Sequence, residues 1–167
     1  MLTQLCGYAP GLGIYSTPSF IGEDFMAYVH KHEEEYFHVM DVLTDQIIDL
    51  MNAFLDVGAA GFFYVPGATS FGFCTNEEYK KYIWPYDERA LKAIEGRAWF
   101  VMLHVCGMTV DHMEEMVKLP AQAINWEDQS PTNPSLADVR AMTDKVLMGG
   151  IDRNKDFYGG NRSKVKA

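Results

Sequence analysis

The sequence predicts an α/β fold built on a parallel sheet, and three observations carry that prediction. Short apolar runs bounded by glycine and proline recur at 60–65, 98–106, 123–126 and 146–148. Helical patterns fill the intervals between them. Polar, reactive side chains collect just after each run, which is where a parallel sheet gathers its chemistry. Strands alternating with helices imply right-handed crossovers.

The first twenty residues carry Gly7, Pro10, Gly11, Gly13 and Pro18 and read as loops around one extended segment, Gly13 to Ser16. From Glu23 to Val57 the pattern is helical. Phe25, Val29 and His32 mark a first face, Val39 to Leu55 a second, and Gly58 is the terminating glycine. Ala60 to Val65 reads as a strand apolar on both faces, followed by a loop, Gly67 to Cys74. Thr75 and Glu78 have capping-box spacing and open a helix reaching Glu95, with Pro85 as a kink or break. Ala98 to Cys106 is the next strand, closed by Gly107 and followed by a helix from Thr109 to Lys118. Ala123 to Trp126 is a strand ending in Glu127 and Asp128. Ser135 caps a short helix, and Val146 to Met148 is the last strand, ending at Gly149-Gly150-Ile151-Asp152.

A chain of 167 residues with 48% hydrophobic content can build a real core. A formal net charge of -9 argues against nucleic acid, whose phosphates require clustered Lys and Arg. No apolar run approaches the roughly 20 residues that span a bilayer, and the start does not read as a signal peptide. Three widely spaced cysteines do not form a disulfide framework, so a soluble, cytoplasmic protein is expected. Gly149-Gly150-Ile151-Asp152 lacks the G-x-G-x-x-G spacing, so no nucleotide cofactor is expected.

His104-Val105-Cys106 is the sharpest feature. Residues two apart on a strand share a face, so an imidazole and a thiolate can aim into one volume. They would supply two of the three protein ligands of a catalytic zinc. On spacing alone, a hydrogen-bonded core histidine beside a small buried cysteine is the commoner reading. Glu127 and Asp128, at the end of the next strand, suit metal ligation, orientation of His104 or acid/base work, and equally suit helix capping. Tyr64, Asp152 and Arg153 occupy the same rim as candidate substrate-binding residues. Asp152 and Arg153 are also compatible with a local ion pair. His30, His32 and His38 read as a solvated face, with His30 and Glu34 as a surface pair. His112 is expected exposed, and Cys74 is expected to be a structural thiol that could also approach the site.

Three stretches together resemble the uroporphyrinogen decarboxylase superfamily: Thr75 to Tyr79 leading to Trp84-Pro85-Tyr86-Asp87; Leu103-His104-Val105-Cys106-Gly107; and Asn125 to Asp128 followed by Met148 to Asp152. The second is similar to a strand of the cobalamin-linked methyltransferase branch. The resemblance runs from Ser16 to Arg153. It implies a partial (β/α)8 TIM barrel, about the second half, over 1–153, with a short polar tail at 154–167. It further implies zinc on His104 and Cys106, a small thiol substrate held as thiolate, and a corrinoid protein as methyl donor. The branch's third ligand, a Cys in a later Pro-Gly-Cys segment, has no counterpart in these residues. The alternatives are a carboxy-lyase acting on an acidic tetrapyrrole, and a non-catalytic fragment that assembles as a homo-oligomer through open edges.

Overall fold

A computed structural model of the chain describes residues 2–5, 25–67, 74–106, 111–152 and 155. The extended segment expected at 13–16, Gly107, Arg153 and all of the polar tail but Lys155 lie outside the described residues, as does most of the loop at 67–74.

Among the described residues, five parallel strands form one sheet: β1 (Leu2–Leu5), β2 (Gly61–Tyr64), β3 (Phe100–Val105), β4 (Ala123–Trp126) and β5 (Val146–Met148). Their order across the sheet is their order in sequence. Every crossover therefore advances in one direction, and no reversal creates the switch point of an open doubly wound sheet. The result is an arc of a (β/α)8 barrel. β1 corrects the sequence reading, which left these residues among loops. Four residues followed closely by glycine and proline carry too little pattern to declare a strand.

The helices are α1 (Phe25–Lys31), α2 (Glu33–Asp56), α3 (Asn76–Glu78), α4 (Trp84–Lys92), α5 (Met113–Met116) and α6 (Leu136–Arg140). The single helical region expected from Glu23 breaks at His32, whose φ of -128° and ψ of 46° leave helical space. Gly58 follows α2 with φ +94°, the left-handed conformation expected of a terminating glycine. Both predicted caps form as capping boxes, Thr75 with Glu78 and Ser135 with Asp138. Between α3 and α4 the chain widens into a π-helical turn, Tyr79–Ile83, in which the Trp84 amide reaches back to the Tyr79 carbonyl. Pro85 explains it: without an N–H, and with its ring pressed toward the carbonyl four residues earlier, it forces the ladder to loosen just before it.

Burial alternates along β3. Val101, Leu103 and Val105 are buried, while Phe100, Met102 and His104 are half-buried. Register extends this alternation across the sheet. Phe62, Tyr64, Ile124 and Trp126 join the buried side and pack with Met40, Met51, Tyr79, Ile83, Leu91 and Met116 in one core. Each such side chain contributes about 1.5–3 kcal/mol on burial. The other side of the sheet carries Phe63, Met102, His104 and Asn125, with Val146 and Met148 exposed at its edge. Gly61 allows β2 and β3 to approach, because a Cβ there would lie 1.8 Å from the Phe100 carbonyl oxygen.

Among the described residues no helix is long and apolar enough to cross a membrane.

Candidate functional site

His104 leaves β3 on the side of the sheet opposite the helix-packed core, at the carboxyl end of the strand. Its ring lies against Phe63 of β2, with centroids 4.9 Å apart and planes inclined by 26°. Its Nδ1 lies 2.6 Å from Oδ1 of Asn125, the residue directly opposite it on β4. The Asn125 amide nitrogen donates in turn to the Met148 carbonyl of β5, at 2.9 Å. Three strands thus hold one imidazole. Cys106 follows the buried Val105 and is exposed, so the alternation of β3 continues through it. His104 is half-buried and Cys106 exposed, two residues apart at the carboxyl end of β3.

Glu127 is half-buried one residue beyond β4, and its carbonyl accepts bonds from the Asn133 amide side chain and the Ser130 N–H. No three His, Cys, Asp or Glu side chains among the described residues converge as a metal cluster, so Glu127 does not complete a set with His104 and Cys106. Asp128 is buried, and both carboxylate oxygens are engaged. Oδ1 accepts from the Gly150 N–H at 2.6 Å and Oδ2 from the Gln129 side chain at 2.7 Å. It clasps the end of β4 to the turn after β5. A Cβ on Gly149 would lie 2.4 Å from that same Oδ1, so the clasp requires glycine there.

Tyr64 stands apart from this group. It is completely buried on the helix-covered side, opposite His104, where its hydroxyl donates to Asp87 Oδ1 at 2.7 Å, so it does not share the rim on which it was expected. The Gly67 N–H donates to the other Asp87 oxygen at 3.1 Å. Burial pushes the Asp87 carboxyl up to about 7 against the pull of these two bonds, and burial beside Asp87 pushes the Tyr64 phenol well up. Asp152 pairs with Lys155, through its backbone N–H and its ammonium group, both at 2.9 Å. Arg153 lies outside the described residues.

Two histidine readings change, and Cys74 is the buried structural thiol expected. His112, expected exposed, is 1% exposed. Its ring stacks on Tyr79 at 4.3 Å, its Nδ1 lies 3.2 Å from Asn76 Oδ1, and its Nε2 lies 3.8 Å from Cys74 Sγ. Burial lowers the His112 pKa and pushes the Cys74 thiol up to about 12, so this cluster is a neutral packing element beneath the helices. His30 pairs with Glu78 rather than Glu34, at 2.7 Å. Phe63 and Asn125 are the site residues missed by sequence reasoning. The pattern that could have found Asn125 is a polar side chain inside an apolar strand, level with His104.

Comparison with known proteins agrees with this architecture. The chain is 23% identical to the methylcobamide:CoM methyltransferase MtbA of Methanosarcina acetivorans over 159 residues, 92% of this chain and 45% of that protein. It is 22% identical to the MtbA of Methanosarcina mazei over 129 residues, 77% of this chain and 37% of that protein. The chain thus spans less than half the length of these relatives. The model of the uroporphyrinogen decarboxylase (URO-D) family matches residues 15–167, nearly the whole sequence, and the chain belongs to that family.

Proposed function

We propose that this chain carries part of a methyl-transfer site, in which His104 and Cys106 contribute to a zinc site for a small thiol substrate whose methyl donor is a corrinoid protein. The observation that supports the reading is a half-buried His104 and an exposed Cys106, two residues apart at the end of β3. Similarity to the two methylcobamide:CoM methyltransferases supports it. An imidazole nitrogen and a thiolate are the donor pair that zinc favours, and two such ligands leave room for a third donor and a substrate. Zinc bound there would supply a Lewis acid that keeps a thiol, ordinarily with a pKa of about 8.5, in its nucleophilic form.

The chain's own residues do the rest. Phe63 covers one face of the imidazole, and Asn125 occupies Nδ1. Met102, level with Ala123 of β4, gives the floor beside them an apolar surface that disfavours free water around an attacking sulfur. Asp128 sets the turn that closes the rim between β4 and β5.

Zinc content measured on wild type, Cys106→Ser and His104→Ala, all purified without added metal, tests the proposal. Wild type is expected to retain zinc and both variants to lose most of it. Equal metal in all three would remove the site, and a carboxy-lyase that needs no metal would then be the better reading.

A further inference from the structure

We propose that Asn125 is a positioning residue that fixes the tautomer of His104, keeping the ring proton on Nδ1 and leaving the Nε2 lone pair as the metal donor. The consequence for metal rests on the zinc reading above, whereas the tautomer itself rests on geometry alone.

An asparagine amide has two chemically opposite ends, an oxygen that only accepts and a nitrogen that only donates. Their assignment follows from Met148. A main-chain carbonyl can only accept, so the end of Asn125 lying 2.9 Å from the Met148 oxygen is the NH2 group. The end facing His104 is then the oxygen, 2.6 Å from Nδ1. A contact that short between an acceptor and a ring nitrogen requires the nitrogen to carry hydrogen. A neutral imidazole has one N–H, so Nε2 is left with its lone pair.

The ring cannot easily escape this arrangement. Turning it over would replace Nδ1 by a carbon opposite Asn125, and the stack on Phe63 resists tilting. Turning the amide over would aim its NH2 at Nδ1, but it would also set its oxygen against the Met148 oxygen and lose that bond. Register makes the arrangement local, because His104 and Asn125 are paired residues of β3 and β4, and Met148 is the partner of Asn125 on β5. A histidine that ligates a metal through one nitrogen commonly donates its other N–H to a fixed oxygen, and loss of that oxygen typically weakens metal binding about 10–100-fold.

The test uses the full 167-residue chain, free of metal and labelled with 15N at histidine. Long-range proton–nitrogen correlation spectra, recorded where the imidazole is neutral, report which nitrogen of His104 carries hydrogen. Wild type is expected to show Nδ1–H. Asn125→Asp, which keeps an oxygen at that place, is expected to show the same, and Asn125→Leu to spread the proton over both nitrogens. Chelator competition with zinc is expected to show a loss of about 10–100-fold for Asn125→Leu and a smaller loss for Asn125→Asp. Nε2–H in wild type, or an unchanged spectrum in Asn125→Leu, would overturn the assignment. Nδ1–H in a wild-type chain that binds no zinc would uphold Asn125 and remove the zinc reading instead.

Discussion

Asp87 offers a sharp test of the energetics of this fold. Its carboxyl is fully buried, bonded to the Tyr64 hydroxyl and the Gly67 N–H, and burial raises it from 3.8 to about 7. Folded protein therefore holds a proton at Asp87 that the unfolded chain releases between those two values. The stabilisation linked to that proton is complete below the unfolded value of 3.8 and is lost as pH rises to about 7, above which it changes no further. At about 1.4 kcal/mol per pKa unit the interval amounts to an upper bound of about 4 kcal/mol, and local relaxation around the ion brings the expected loss to about 2–4 kcal/mol. Asp87→Asn mimics the protonated acid: its NH2 can donate to the Tyr64 oxygen while its carbonyl accepts from Gly67. The variant should match wild type near pH 4 and exceed it by about 2–4 kcal/mol near pH 8. Urea denaturation of both proteins at the two pH values measures this. Taking the difference between them cancels the titrations common to both. A parallel pH dependence in wild type and variant would refute the reasoning.

Two further outcomes follow from packing and exposure. Gly149→Ala drives a Cβ onto Asp128 Oδ1 and is expected to cost about 1–3 kcal/mol in thermal unfolding, with Asp128→Ala removing most of that penalty; an additive pair of losses would contradict the clasp. Alkylation of native protein, mapped by mass spectrometry, should modify the exposed Cys106 far ahead of Cys74, which is buried and whose thiol is pushed up to about 12; equal rates would refute the described burial.

Much of this architecture was legible because its signals are local. The strands at 123–126 and 146–148 are bounded where their apolar runs are, the capping boxes at Thr75 and Ser135 need only four residues each, and Pro85 disturbs the helix in which it stands. Direction was harder to read than position. A strand apolar on both sides does not declare its parity, so Tyr64 could not be assigned to the helix-covered side without the register of β3. His112 illustrates distance: its neighbours Asp111 and Glu114 look like a wet helix start, while the groups that enclose it, Cys74, Asn76 and Tyr79, come from more than 30 residues earlier. The alternation that sets His104 opposite the buried Val101, Leu103 and Val105 was readable from the period of two along β3. The amide that holds His104 was not, because an asparagine opposite a histidine becomes visible only once the strands are paired.

β5 is fastened to the sheet with little grease. Val146 and Met148 are exposed, and the strand is held by the ladder to β4, by the Asn125 amide on the Met148 carbonyl and by Asp128 on the Gly150 amide. A strand held by so few buried apolar contacts opens at less energetic expense than β2, β3 and β4. When it peels away, Asn125 loses the carbonyl that tells its amide which way to face, and the proton on His104 loses its assigned seat. The sharpness of the imidazole is thus set at β5, the last of the described strands, two strands away from the ring itself.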